Sequence, residues 1–240
     1  MSETEHGEER GMAASTPAAR LAAALAASDG SVRLQAALTA GTAPDPGFIP
    51  VLVARCAVEP DFGVRDMMTW ALVRQEREAT LERLLAELGS AAAQARSQAL
   101  HTLSKLGEAR AWPAITPELL RDPDDEVARA AWRTAAGLVP EAEAPALAAL
   151  LAGQLGRGAR EVQRSLSRAM AMLGTAAEAS LEAAERHPDP EVGTHAIATR
   201  RIMDDPDSGF DAAVADARRQ LALRAAPAVD EERSRMPGCA

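Results

Sequence analysis

Tyrosine is absent from this sequence of 240 residues, and aromatic residues make up only 2% of a chain that is 47% hydrophobic. A single wide core needs bulky side chains at its centre, whereas thin Ala- and Leu-rich layers between closely packed helices do not. Strand formers are sparse, so an all-α chain is expected. The two cysteines, Cys56 and Cys239, cannot build a disulfide framework, and nothing around them suggests a bridge or a metal site. Cys56 falls within a helical pattern and reads as a small buried hydrophobe, which fits a reducing cytoplasm. No apolar run approaches the ~18–20 residues of a membrane span, and the opening MSETEHGEERGMAAS lacks the apolar region of a signal peptide. Lysine is nearly missing too: Lys105 is the only one among 26 basic residues, which with the abundance of Ala suggests a GC-rich bacterial genome.

The net charge of −9 weighs against non-specific nucleic-acid binding, which requires a basic surface for counterion release. Residues 1–16 are acidic and without periodicity, and are expected to be a disordered tail. A tail of the same kind is expected at 227–240. Between them, 17–226 alternates helical patterns with short breaker clusters.

What the sequence does contain is a period. Val32, Val64, Ala95, Val127, Val162 and Val192 begin similar apolar-and-Arg patterns, at spacings of 32, 31, 32, 35 and 30 residues. A repeat of this length marks a solenoid built from one supersecondary unit. Counted from each anchor, offsets +4, +7 and +8 share one face of a 3.6-residue helix and are predicted to be buried. Arg200 is the exception, in the last repeat. Asp29, Asp61, Asp124 and Asp189 precede the second helices as N-caps, while Gly41, Gly89, Gly107, Gly137 and Gly174 are placed as left-handed helix ends. Pro113 and Pro117 predict a kink or a delayed start in the fourth first-helix. A helix over about 209–225 is expected to cap the stack.

The Asp-turn, Val and Arg combinations (Asp29…Val32-Arg33, Asp61…Val64-Arg65, Asp124-Asp125…Val127-Ala128-Arg129) closely resemble HEAT repeats, including the HEAT-like units of phycobilin lyases. The resemblance covers nearly all of 17–205. It implies a right-handed α-solenoid of about six helical hairpins, with second helices lining a concave groove. It also implies a structural ladder in which turn Asp and helix Arg link neighbouring repeats, so that Asp29, Arg33, Asp61, Arg65 and Arg96 serve stacking. HEAT architecture is not specific for function.

On this ruler, offsets +2, +6 and +10 point into the groove. They place Asp66, Trp70 and Arg74 beside Ser97, His101 and Lys105, and then Arg129 and Arg133 beside Arg164 and Arg168. Such a surface suits an acidic or phosphorylated protein segment, with Trp70 as aromatic anchor, His101 as polar reader and the cations as an electrostatic frame. The bland alternative is that the Arg stems cover Ala-rich helices and pair with Glu on neighbours. Trp112 and Trp132 read as packing residues. His187 and His195 lack the ligand spacing of a metal site, so neither metal nor cofactor is expected. The expected function is a non-enzymatic scaffold or adaptor, its oligomeric state left open. The competing class is an enzyme using the same groove. HEAT-like alkylpurine DNA glycosylases combine a basic face with Trp and Asp, but the acidic charge and scarcity of aromatics weigh against flipped-base chemistry. Iron-binding HEAT hydroxylases carry paired His-Glu dipeptides, which this chain lacks.

Overall fold

A computed structural model describes residues 16–207 and 209–225. The expectations for 1–15 (with His6) and for 227–240 (with Cys239) therefore fall outside the described residues. The described chain is all-α, a solenoid-type succession of helical hairpins, and it divides into two compact units at Leu106 and Gly107. No described helix is long and apolar enough to cross a membrane.

Unit 1 holds three hairpins: α1 (Pro17–Leu25) with α2 (Gly30–Thr42), α3 (Phe48–Cys56) with α4 (Phe62–Val73), and α5 (Arg77–Glu87) with α6 (Ala93–Leu106). Second helices pack on second helices, α2 on α4 and α4 on α6, while α1, α3 and α5 form the other layer. Between the layers lie Leu25, Leu52, Met68, Leu72, Leu84, Leu100 and Leu103, together with the buried Cys56. Burial pushes the Cys56 thiol up to about 12, which leaves it protonated and inert.

Unit 2 begins with a 3₁₀ turn, Ala109–Ala114, and the one-turn α7 (Pro117–Leu120). Pro113 and Pro117 withhold two backbone donors and break what is one continuous first helix elsewhere. Then come α8 (Asp125–Leu138), α9 (Ala144–Ala152), α10 (Arg160–Met172), α11 (Glu178–Ala184) and α12 (Pro190–Asp204). α13 (Phe210–Ala225) packs along α12, closing Ile197 and Ala198 under Phe210, Ala213, Val214 and Ala217. The core of this unit contains Trp132, fully buried, whose indole Nε1–H donates to the Leu120 carbonyl at 2.8 Å.

The predicted buried offsets are buried in nearly every repeat. Thr39 is the exception: it is exposed, as is its anchor Val32, because α2 has no second helix before it among the described residues. Ser97, placed in the groove by its spacing, is buried instead. Arg200 is half-buried and bound to Glu185 at 2.6 Å.

The turns differ from the expected Asp–Arg ladder. The turn aspartates cap their own helices: Asp29 accepts from the Ser31 N–H, Asp61 from Val64, Asp124 from Glu126 and Val127, and Asp189 from Glu191. The arginines reach back to carbonyls of the preceding turn. Arg33 donates to Ala27 and Ser28, Arg65 to Glu59 and Pro60, and Arg96 to Ser90 and Ala91, in each case the residues five and six positions earlier. Each Arg thus satisfies acceptors left open where a first helix ends, within its own repeat.

Links between repeats use other residues. Glu59, wholly buried, takes both Arg33 Nε and Nη2 at 2.8 Å and Arg55 Nη2 at 2.6 Å. Burial alone would raise its pKa, but the hydrogen bonds from Arg33, the Asp61 N–H and Arg55 lower it to about 2. Gln94 donates to the carbonyls of Cys56 and Glu59, joining α6 to the second hairpin.

Candidate functional site

In unit 1 the offsets +2, +6 and +10, with the exception of the buried Ser97, form one outward face of α2, α4 and α6. Asp66, Trp70, Arg74 and Lys105 are exposed, and His101 is half-buried. His101 Nε2 lies 3.9 Å from Asp66 Oδ1, so the two helices meet there through a loose polar pair.

Trp70 is a seated platform. Its ring covers Gly41 of α2 so closely that a Cβ at position 41 would lie 2.2 Å from Cζ3. Gly41 is therefore required for close approach inside a helix, and not as the left-handed helix end expected from the sequence. Gly89 and Gly137 likewise lack positive φ, whereas Gly107 and Gly174 have it. Arg74 completes the platform: its guanidinium carbon sits 5.1 Å from the Trp70 ring centroid while Nε donates to the Gly41 carbonyl at 2.7 Å. Trp70 nevertheless remains 38% exposed. Leu34 and Leu38, at offsets +2 and +6 of α2, are exposed to the same degree. In sequence they are inconspicuous, because leucines in an amphipathic helix default to the core. The period would have found them, since their offsets match those of Asp66 and Trp70.

In unit 2 the four arginines fall into two kinds. Arg129 is half-buried and ties α8 to α10, donating to Ser165 Oγ (2.9 Å), Glu161 Oε1 (3.0 Å) and Glu126 Oε1 (2.6 Å). Arg164 bridges α10 and α13 through Asp211 (3.3 Å) and lies over the Phe210 ring at 5.8 Å. These two match the bland reading of Arg paired with neighbouring carboxylates. Arg133 and Arg168, at offset +6 of adjacent helices, are exposed. Desolvation chiefly, with the nearby Arg129 charge adding and Glu126 opposing, lowers the pKa of Arg133.

Unit 2 also holds a buried polar chain that the sequence concealed. His195, 1% exposed, accepts the Gly156 N–H on Nδ1 at 3.0 Å, which leaves the ring proton on Nε2. That proton faces the Gln163 carbonyl and Ser167 Oγ, both at 3.0 Å. Ser167 Oγ meets Thr199 Oγ1 at 2.7 Å, and Thr199 donates to the His195 carbonyl. Every proton in the chain has its place, so His195 has no lone pair aimed at Ser167 and cannot act as its base. Burial chiefly, with the Arg160 charge adding, lowers the imidazole to about 4, against the opposing pull of the Gln163 carbonyl. Periodicity marked His195 only as a residue near a helix start; that it would be a neutral inter-helix link depends on the Gly156 turn, 39 residues away.

No group of three or more His, Cys, Asp or Glu residues that could hold a metal occurs among the described residues. One hollow of about 580 Å³ opens at α1, α2 and the start of α3, lined by Leu21, Ala24, Val32, Ala36 and Phe48 with Gln35 and Thr39.

No family model matches the chain, and no curated protein matches it. Among solved structures it is similar to an engineered protein from the Northeast Structural Genomics Consortium, at 20% identity and a TM-score of 0.44, over 84% of this chain and 98% of that one. It is also similar to the complex of CpcE and CpcF of phycocyanin lyase from Nostoc sp. PCC7120, at 17% identity and a TM-score of 0.37, over 92% of this chain and all of that one.

Proposed function

We propose that this chain is a HEAT-like protein-interaction scaffold or adaptor, and that the outward face of the second helices, in each unit taken by itself, captures an acidic or phosphorylated segment of a partner protein. The observation that carries the reading is the Trp70 platform. A large aromatic is held half-exposed by a glycine floor and a stacked arginine, an arrangement that gives up apolar burial while ordering the ring for contact. Arg74 and Lys105 flank it in unit 1. In unit 2 Arg133 and Arg168 offer a pair of cations one helix spacing apart, about 10 Å, to an incoming carboxylate or phosphate. Arg129 and Arg164 hold these helices in register and make the smaller contribution to binding.

Fluorescence anisotropy with labelled acidic and phosphorylated peptides tests the reading. Binding should weaken on Trp70→Ala and on the double change Arg133→Glu and Arg168→Glu, with helicity by circular dichroism unchanged. Unchanged binding in both variants would sink the groove assignment. A DNA mobility assay at two salt concentrations addresses the enzyme class: a steep loss of retardation with salt would favour phosphate-backbone binding over a protein partner.

A further inference from the structure

In each unit one pair of successive second helices, α4 with α6 and α10 with α12, meets through a hydroxyl at offset +5 of the first and a threonine at offset +7 of the next. Thr69 Oγ1 of α4 meets Thr102 Oγ1 of α6 at 3.4 Å, and Ser167 Oγ of α10 meets Thr199 Oγ1 of α12 at 2.7 Å. The receiving threonine has already given its own proton to the carbonyl four residues back, Gln98 or His195, at 2.8 Å in both cases. The incoming hydroxyl must therefore be the donor.

α2 carries the receiving half of this seam with no second helix against it among the described residues. Thr39, its +7 residue, donates to the Gln35 carbonyl at 2.8 Å, the same local geometry as Thr102 and Thr199, and its oxygen is exposed. The anchor position, 2% exposed at Val64 and 4% at Ala95, is 45% exposed at Val32. These residues line the 580 Å³ hollow together with Leu21 and Ala24 of α1. The opposite end of the chain is closed, since the offset +5 residue of α12, Ile197, lies under α13.

We propose that the open face of α2, centred on Val32, Gln35 and Thr39, docks an amphipathic α-helix of a partner protein that presents a Ser or Thr hydroxyl to Thr39 and a small apolar face to the hollow. The occupant continues the seam that the chain already uses between its own repeats. It is a foreign helix for two reasons. The chain's own +5 face at α12 is covered, so a second copy cannot extend the stack head to tail. Two α2 faces brought together would set Thr39 against Thr39, each with its proton already given to the Gln35 carbonyl, so that pairing lacks the hydroxyl donor that the seam uses. The site is separate from the Trp70 face and stands or falls without it.

The probe is a stapled helix of sequence 160–172, which carries the donor Ser167 in seam register; stapling supplies the helicity that so short a peptide lacks in water. Titrated into the isotope-labelled full chain, it should shift amide resonances of Leu21, Val32 and Thr39. Val32→Glu, at an exposed position that leaves folding intact, should weaken binding about tenfold or more by placing a charge against the apolar face. The same peptide with Ser167→Leu should bind less tightly than the parent. Absence of binding, shifts confined to other regions, or indifference to Val32→Glu would overturn the proposal. So would a concentration-dependent dimer dissolved by Val32→Glu, which gives the face to a second copy. Binding seen only after deletion of residues 2–15 would likewise overturn it, giving the face to the chain's own N-terminal segment.

Discussion

The two units solve one problem with different chemistry. Each must hold a helix–turn–helix repeat closed and fasten it to the next. Unit 1 does so with charge: Arg33, Arg65 and Arg96, one residue past each anchor, clamp their turn carbonyls, and buried Glu59 gathers Arg33 and Arg55. In unit 2 the same position holds Ala128, Gln163 and Gly193, and the fastening passes to neutral polar groups around His195, to Arg129, which ties α8 to α10, and to Arg157, which donates to Asp125 and the Asp122 carbonyl. A shared period thus fixes where helices stack without fixing what locks them. It follows that the two units should respond differently to the same insult.

The largest difference is expected from Glu59→Gln. It leaves the arginines gathered around a neutral amide and should cost about 3 kcal/mol, as breaking a buried ion pair does. Hydrogen exchange should show the loss in α2 to α4 while α10 and α12 keep their protection; equal loss in both units would erase the contrast. Acid should reverse the ranking. The unfolded chain protonates His195 near 6.5 while the folded chain resists until about 4, so the stability His195 contributes is complete above pH 6.5 and drains away between 6.5 and 4. The amount is about 3 kcal/mol. Glu59, lowered to about 2, contributes fully above 4.5 and loses its effect only as pH falls from there toward 2. Unit 2 should therefore loosen first on acidification, and His195→Asn should flatten the upper part of the profile followed by exchange at each pH.

Smaller effects refine the picture. Gly41→Ala forces Trp70 off its seat and should cost about 1–3 kcal/mol as an overpacking change, with a change in tryptophan emission as the ring becomes wetter. Unaltered emission would mean that the platform tolerates a Cβ. Asp61→Ala and Asp189→Ala remove the same N-cap from one repeat in each unit. Each should cost about 1 kcal/mol in urea unfolding, equal effects showing that caps are the part of the turn that both units share.

The architecture was legible because it repeats. Six anchors, read together, give the helix faces, and Met68, Ala99, Ala131, Leu166 and Ala196 are buried where the count puts them. Thr39 missed only because α2 has no second helix before it among the described residues, which no per-repeat rule encodes. The turn locks were not legible. An Arg beside an Asp in sequence suggests a pair, yet a side chain that long can reach backbone carbonyls, and which it chooses depends on how the turn closes in space. Glycines were ambiguous for a similar reason: Gly41 and Gly107 both sit near helix ends, and only the position of Trp70 separates a packing need from a backbone one. On the outward face, the offsets located Trp70 and Arg133 correctly as surface residues, whereas Leu34 and Leu38 were hidden by the habit of assigning leucine to the core.

The carbonyl clamps have a consequence for how such a chain can evolve. Because Arg33, Arg65 and Arg96 each find their acceptors within six residues upstream, a turn carries its own lock with it wherever it is copied. A segment of about 30 residues can then be duplicated or deleted without orphaning a charge in its neighbour, provided that Glu59 travels with Arg33 and Arg55 or all three are left behind. Growth by whole repeats is cheap at the α2 end, where the seam is open, and costly at the α13 end, where a cap must first be displaced.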